Sequence, residues 1–132
     1  MNWYDENKDS EDIIREKGMV IINAKENVMA TMIGTLASII SSSNGFDETT
    51  FVMSMARLLN KKTKVSLRIS DRKADVDLFK IISDIAEKVD GEAGGHLSAA
   101  GAVIPTDREE EFIKEAENSF AKIHQKIVKL TP

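Results

Sequence analysis

Two features of this 132-residue chain have the chemistry to hold a phosphate. The first lies in Asp90 to Pro105, DGEAGGHLSAAGAVIP, which packs four glycines, four alanines and one histidine into sixteen residues. The adjacent Gly94 and Gly95 allow φ > 0 and a close approach of backbone to ligand. His96 follows directly and adds an imidazole. Leu97, Ser98, Ala99 and Ala100 are compatible with a short helix that Gly101 ends, and Ala102 to Ile104 with a buried strand stopped by Pro105. A glycine loop opening into a helix N-terminus presents free N–H groups, which favour an anion. The expectation is a phosphate-binding corner. The plainer alternative is a tight packing turn with His96 as a cap. The extent of the small-residue segment, and a basic strand upstream of it, weigh against that alternative.

That strand is the second feature. In Lys64 to Ser70, Val65, Leu67 and Ile69 alternate with Ser66, Arg68 and Ser70. An arginine between two serines makes a poor core face and a good anion-binding face, because guanidinium grips phosphate oxygens in a fork. Arg57, Lys61, Lys62, Lys64, Arg68, Arg72 and Lys73 crowd this part of the chain with only Asp71 opposing them.

GEAGGHLSAAGAVIP resembles the Gly-Gly-Gly-His signature of the DHH-associated domain. This is the C-terminal domain of DHH-superfamily phosphoesterases such as RecJ-like exonucleases, oligoribonucleases and exopolyphosphatase-like proteins. The resemblance continues upstream through MIGTLASIIS (Met32 to Ser41) and VSLRIS (Val65 to Ser70), and covers Met19 to the C-terminal helix. Ala93 stands where the first glycine of the triplet belongs, so that position takes an ordinary backbone conformation or holds a mild strain. The resemblance implies that Arg68, Gly94, Gly95 and His96 bind substrate phosphate, with Ser66, Ser70, Ser98 and Gly34 in support. It also implies that catalysis belongs to manganese ions held by a separate N-terminal DHH domain.

Composition narrows the classes. The net charge of −4 argues against a generic polyelectrolyte binder, although local field matters more than the total for one phosphate. The absence of cysteine excludes disulfides and thiolate metal sites and suits a reducing cytoplasm. No apolar run approaches the ~20 residues that span a bilayer, so no membrane association is expected, and the N-terminus does not read as a signal peptide.

The elements that position these residues read as one α/β domain. The expected sheet is mixed and mostly parallel, with a hairpin and with helices packed on it. Residues 1–18 form a linker with a frayed start (1–10) and a short helix (11–17) ended by Gly18; residues 19–132 form the substrate-binding domain. Met19 to Ala24 reads as a strand buried on both faces. A helix capped by Asn27 carries Val28, Met29, Met32, Ile33, Leu36, Ile39 and Ile40 on its apolar face and Gly34 and Ser38 opposite, until Asn44-Gly45 stops it. Thr49 to Ala56 and Lys64 to Ser70 make a hairpin around Asn60-Lys61. A helix over Val76 to Val89 is capped by Asp75 or Asp77, a pair read as capping rather than metal-binding. Thr106 and Glu109 make a capping box for the last helix, whose stripe runs from Phe112 through Ala116 and Phe120 to Leu130, with His124 at its margin.

A two-metal phosphodiesterase needs several convergent carboxylates or imidazoles. This chain has two histidines and no Asp-His-His triplet. It is therefore expected to hold substrate, not to cut it. The expected partners are single-stranded DNA or RNA or a short oligonucleotide, and the DHH domain of the same protein. The alternatives are the same domain from an oligoribonuclease, a cyclic-dinucleotide phosphodiesterase or an exopolyphosphatase-like protein, or a scaffold module working with replication proteins.

Overall fold

The computed structural model describes residues 2–43, 45–71 and 74–130. The chain runs α1 (Asn2–Glu6), β1 (Ile13–Glu16), β2 (Met19–Asn23), a 3-10 turn (Ala30–Met32), α2 (Ile33–Ser41), β3 (Phe51–Arg57), β4 (Lys62–Ile69), α3 (Leu78–Glu87), β5 (Glu92–His96), β6 (Ala99–Pro105), a second 3-10 turn (Thr106–Arg108) and α4 (Glu109–Leu130). The strands form one sheet in the order β1-β2-β3-β4-β6-β5. Of its neighbouring pairs, β2–β3 is parallel and the other four are antiparallel. The α/β class and the hairpin are as expected; a mostly parallel sheet is not. The reason is topological. The connection through α3 lands β5 one strand away from β4, and β6 turns back to fill the gap, so the parallel pair that α3 would have built is replaced by two antiparallel ones.

Each sheet face has its own core. On one face Phe51, Met53, Leu67 and Ile104 meet Leu78 and Ile82 of α3 and Phe112 and Phe120 of α4. Phe51 and Phe120 stack with ring centroids 4.7 Å apart. On the other face, Val20, Ile22 and Val52 meet Leu36, Ala37 and Ile40 of α2, and Tyr4 of α1 closes the end. This second cover extends over β3 and β4 but not over β6 and β5. A shelf of open sheet results, bounded on one side by α2.

Several local expectations are corrected. Residues 11–17 do not form a helix: Ile13–Glu16 is a strand that pairs with β2, and Gly18, at φ +80°, makes the turn between them. Residues 2–10 are not a frayed start: Asn2–Glu6 forms α1, which buries Tyr4. Asn27 does not cap α2; its side-chain amide donates to the Ala24 carbonyl. Asn44 lies outside the described residues. The helix expected over 76–89 spans Leu78–Glu87, and Asp77 is the cap, accepting from the Lys80 N–H at 3.1 Å. Asn60 and Lys61 turn the β3–β4 hairpin, both at positive φ.

The largest correction concerns 97–100. No helix starts there. Leu97 and Ser98 form a tight turn, and Ala99 begins β6, so β5 and β6 make a hairpin. Gly101 does not end a helix; it sits mid-strand, where a Cβ would lie 2.5 Å from the Val65 carbonyl oxygen. Gly95 has φ +111°, and a Cβ there would lie 2.5 Å from the Ala99 oxygen. Gly95→Ala is therefore expected to cost about 1–3 kcal/mol of stability, read from denaturant midpoints. An unchanged midpoint would show that the hairpin relaxes freely.

Candidate functional site

Antiparallel pairing sets the residues of β4, β6 and β5 in rows across the open shelf. Ser66, Gly101 and Gly94 form one row; Lys64, Val103 and Glu92 form the row on one side of it. Two residues further along β4, in the opposite direction, alternation brings Arg68 to the same face as Ala99 and His96. Leu67, Ala100 and Gly95 belong to the opposite face, above α3. Arg68, Gly94 and His96 thus share one face of the sheet, while Gly95 supplies the backbone conformation between them.

Arg68 is half-buried at the foot of α2. Its Nε donates to Ser38 Oγ at 3.2 Å, and its Nη1 donates to the Leu67 carbonyl at 2.9 Å and the Ala100 carbonyl at 3.4 Å. No carboxylate neutralises it among the described residues, and burial pushes its pKa down from the usual guanidinium value. A partly desolvated cation held by neutral acceptors gains from an incoming anion. Gly34 keeps the approach open: a Cβ there would stand 3.4 Å from Arg68 Nη2 and 3.5 Å from Ser66 Oγ.

His96 is exposed, and its ring is held by the turn that follows it. Nδ1 lies 3.3 Å from the Ser98 N–H, which donates to it, and 3.0 Å from Ser98 Oγ. Nε2 is left as the free ring nitrogen. Ser98 and Arg68 together line a cavity of about 380 Å³ with Ser38, Ser41 and Ser42. Ser98 thereby touches His96 and faces the same cavity as Arg68. On the other side of Arg68, a groove of about 820 Å³ runs between α2 and the β5–β6 hairpin, over Gly34, Ser66, Gly94 and Gly101 to Lys64 and Glu92. Nothing lies within 4 Å of where a Gly94 Cβ would be. Gly94→Ala is expected to leave stability within about 0.5 kcal/mol while weakening anion binding by filling the shelf; a melting curve and a phosphate titration on one preparation separate the two.

Other expected contributors lie elsewhere. Ser70 is not in the groove; its Oγ accepts the Thr50 N–H at 2.8 Å. Arg57 is committed to Glu109 and, at 3.6 Å, to Glu26, and its pKa is raised chiefly by the Glu109 hydrogen bond. Lys61 and Lys62 are exposed at the hairpin tip, and Arg72 and Lys73 lie outside the described residues. Among the described residues, the basic run is not one patch, and Arg68 and Lys64 are its members that line the groove. The helix N-terminus expected to favour an anion is not formed; that stretch is the β5–β6 hairpin.

Sequence reasoning missed the Ser38–Arg68 bond, although their separate assignments to α2 and β4 left the pairing open. It also read Glu109 as a capping-box residue. Glu109 is buried, and its carboxylate accepts from Asn23 Nδ2 at 3.1 Å, Arg57 Nη2 at 3.2 Å and Thr63 Oγ1, which also meets Thr106 Oγ1. His124 places Nε2 2.6 Å from Glu48 Oε1, well away from the groove.

The manganese pair implied by the resemblance does not fit this chain: among the described residues, no three His, Cys, Asp or Glu side chains are grouped to hold a metal ion. Among them, too, no helix is long and apolar enough to cross a membrane.

Comparison with known proteins supplies the family. A search of curated proteins finds no match. The C-Ala domain of Aquifex aeolicus alanyl-tRNA synthetase superposes with a TM-score of 0.64 at 15% identity, over 82% of this chain and 96% of that one. The DHH domain structure of a member of the s1p family of ribosomal proteins superposes with a TM-score of 0.53 at 18% identity, over 92% of this chain. This chain spans 30% of that protein's length. At these identities the likeness is one of fold. The DHHA1 domain model matches residues 17–122, most of the sheet and its helices, and on that match the chain belongs to the DHHA1 domain family.

Proposed function

We propose that this chain is the substrate-holding domain of a RecJ-like single-strand exonuclease, gripping one phosphate of a nucleic acid between Arg68, His96 and the backbone of Gly94 and Gly95. The observation that carries the reading is Arg68. It is half-buried, has no carboxylate partner among the described residues, and is fixed by Ser38 on the same sheet face as His96. Ser66, Ser98 and Gly34 shape the space around the grip. Grip and orientation are this chain's contribution: fixing one phosphate sets the position of the next bond in the strand. Manganese, in an N-terminal DHH domain, would supply the hydrolytic chemistry; hydrolysis by this chain alone is not expected. The setting is cytoplasmic, with replication proteins as further partners.

One observation favours a second reading, the domain of an oligoribonuclease or another small-phosphodiester enzyme. No aromatic side chain lines the groove, so a long strand finds no platform on which successive bases stack. Titrating 5′-phosphorylated single strands of increasing length decides between them. The exonuclease reading predicts affinity that climbs with length and falls steeply with salt; a plateau after two or three nucleotides selects the short-substrate reading. Under both, His96→Ala weakens binding about tenfold, the worth of one hydrogen bond to a charged group. Wild-type affinity in that variant removes His96 from the grip.

A further inference from the structure

The far end of the groove carries two charged groups that the phosphate grip does not use. Lys64, half-buried, and Glu92, exposed, stand in one row on either side of Val103. Neither has an ion-pair partner among the described residues. Their backbones are separated by two strand spacings, roughly 9–10 Å, a gap with Val103 at its centre. A carboxylate is out of place in a groove that takes only phosphates, since it repels them. Its position makes sense when the ligand places hydrogen-bond donors there and keeps its phosphate at the other end.

We propose that Lys64 and Glu92 form a base-reading subsite for guanine, in a nucleotide whose phosphate lies at Arg68. The inference rests on the phosphate grip and names what lies beyond it. Four residues of β4 separate Arg68 from Lys64, about 13 Å of strand, which is of the order of the reach from a nucleotide's phosphate to the outer edge of its base. Between them the floor is Gly94 and Gly101, bare backbone on which a flat ring can lie, with Val103 and Ile39 as apolar borders. The charges at the two ends give the groove a polarity. Arg68 attracts the phosphate, and Glu92 excludes it.

Guanine suits the pair by its donor pattern. Its N1–H and N2–H donors sit side by side and fit the two oxygens of one carboxylate; its O6 is an acceptor for an ammonium. Adenine turns an unprotonated N1 toward the carboxylate and offers one exocyclic amine. Cytosine and uracil are smaller and do not span the same gap. A polar pair left unmatched by the wrong base loses affinity through its own desolvation.

The test titrates the purified chain with GMP, AMP, CMP and UMP as 5′-monophosphates, and with inorganic phosphate, following amide shifts. The wild type is expected to bind GMP about tenfold more tightly than the other three, the lower range for one bidentate base contact. Glu92→Gln, an exposed isosteric change, is expected to bring GMP down to the level of the others and leave inorganic phosphate unaffected; Lys64→Ala narrows the GMP advantage as well. Equal affinity for all four nucleotides, or a GMP preference that survives Glu92→Gln, overturns the guanine subsite. If those nucleotides still depend on Arg68, the phosphate grip stands and only this inference falls. Binding that ignores Arg68→Ala, or no binding of any probe, overturns both.

Discussion

Arg68→Ala weakens binding of a 5′-phosphorylated oligonucleotide by ten- to a hundredfold and leaves the melting temperature unchanged or slightly raised. The binding loss follows from removing charge-assisted hydrogen bonds to a phosphate, about 1.5–3 kcal/mol. The stability result follows from the environment. The guanidinium is partly buried without a counter-ion, its bonds go to Ser38 and two carbonyls, and burial lowers its pKa. A group whose charged form is disfavoured by the fold contributes little to holding the fold together. Arg68→Lys restores binding only in part, because an ammonium cannot offer a planar fork while also holding Ser38. Isothermal titration and thermal melting on the same samples read both quantities. A large drop in melting temperature with unaltered binding would make Arg68 a structural residue.

Glu109→Ala is the opposite case: a severe loss of stability, about 3–5 kcal/mol for breaking a buried ion pair from one side, with no direct effect at the groove. Glu109 is 5% exposed and joins β2, β3, β4 and α4 through Asn23, Arg57 and Thr63. Its removal leaves the Asn23 amide without its acceptor and the Arg57 guanidinium with only the longer, more exposed Glu26 contact among the described residues. The same cluster gives a pH dependence of fixed sign. Burial alone raises the Glu109 pKa, but the bonds from Arg57, Thr63 and Asn23 outweigh it and hold the carboxyl below its ordinary value. A carboxyl depressed in the folded state contributes stability that is complete above its unfolded pKa and disappears as the pH falls through the folded one. Urea midpoints measured across the acid range therefore fall for the wild type, and that component of the fall is missing in Glu109→Ala. Parallel curves for the two proteins would contradict the assignment.

Much of the sheet was legible because its strands carry strong local patterns. Met19 to Ile22 is apolar throughout, and the strand it opens, Met19–Asn23, is buried throughout. The alternation in β4 placed Arg68 on the correct face, and Asp77 announced the start of α3. The misses are of two kinds. Ile13–Glu16 and the start of β6, Ala99 to Gly101, are strand made by their neighbours, whereas Ala102 to Ile104 read as strand from the outset: β1 is four residues long, and β6 begins with two alanines and a glycine, residues that locally suit a helix and its end as well as a strand. Strand pairing also decided the direction of the sheet, and no single segment encodes that. The second kind is long-range. Glu109 and Thr106 fit a capping box by spacing, yet the Glu109 acceptors are used by residues 46 to 86 positions away. Arg57 counted toward a basic cluster until its partner was seen. Gly94 and His96 share a sheet face with Arg68 without the supposed helix, because strand register places them there and alternation already fixed Arg68.

The central claim is that the imidazole and the guanidinium meet one oxyanion above the bare glycine shelf. Amide and side-chain NMR shifts, followed while inorganic phosphate and then a 5′-phosphorylated dinucleotide are added, test it directly. The account predicts that Gly94, Gly95, His96, Ser98 and the Arg68 Nε signal move together with one dissociation constant, that the His96 response vanishes in Arg68→Ala, and that the Arg68 Nε response weakens in His96→Ala. Shifts centred on the exposed Lys61–Lys62 tip, or an Arg68 signal that stays still while His96 moves, would contradict it.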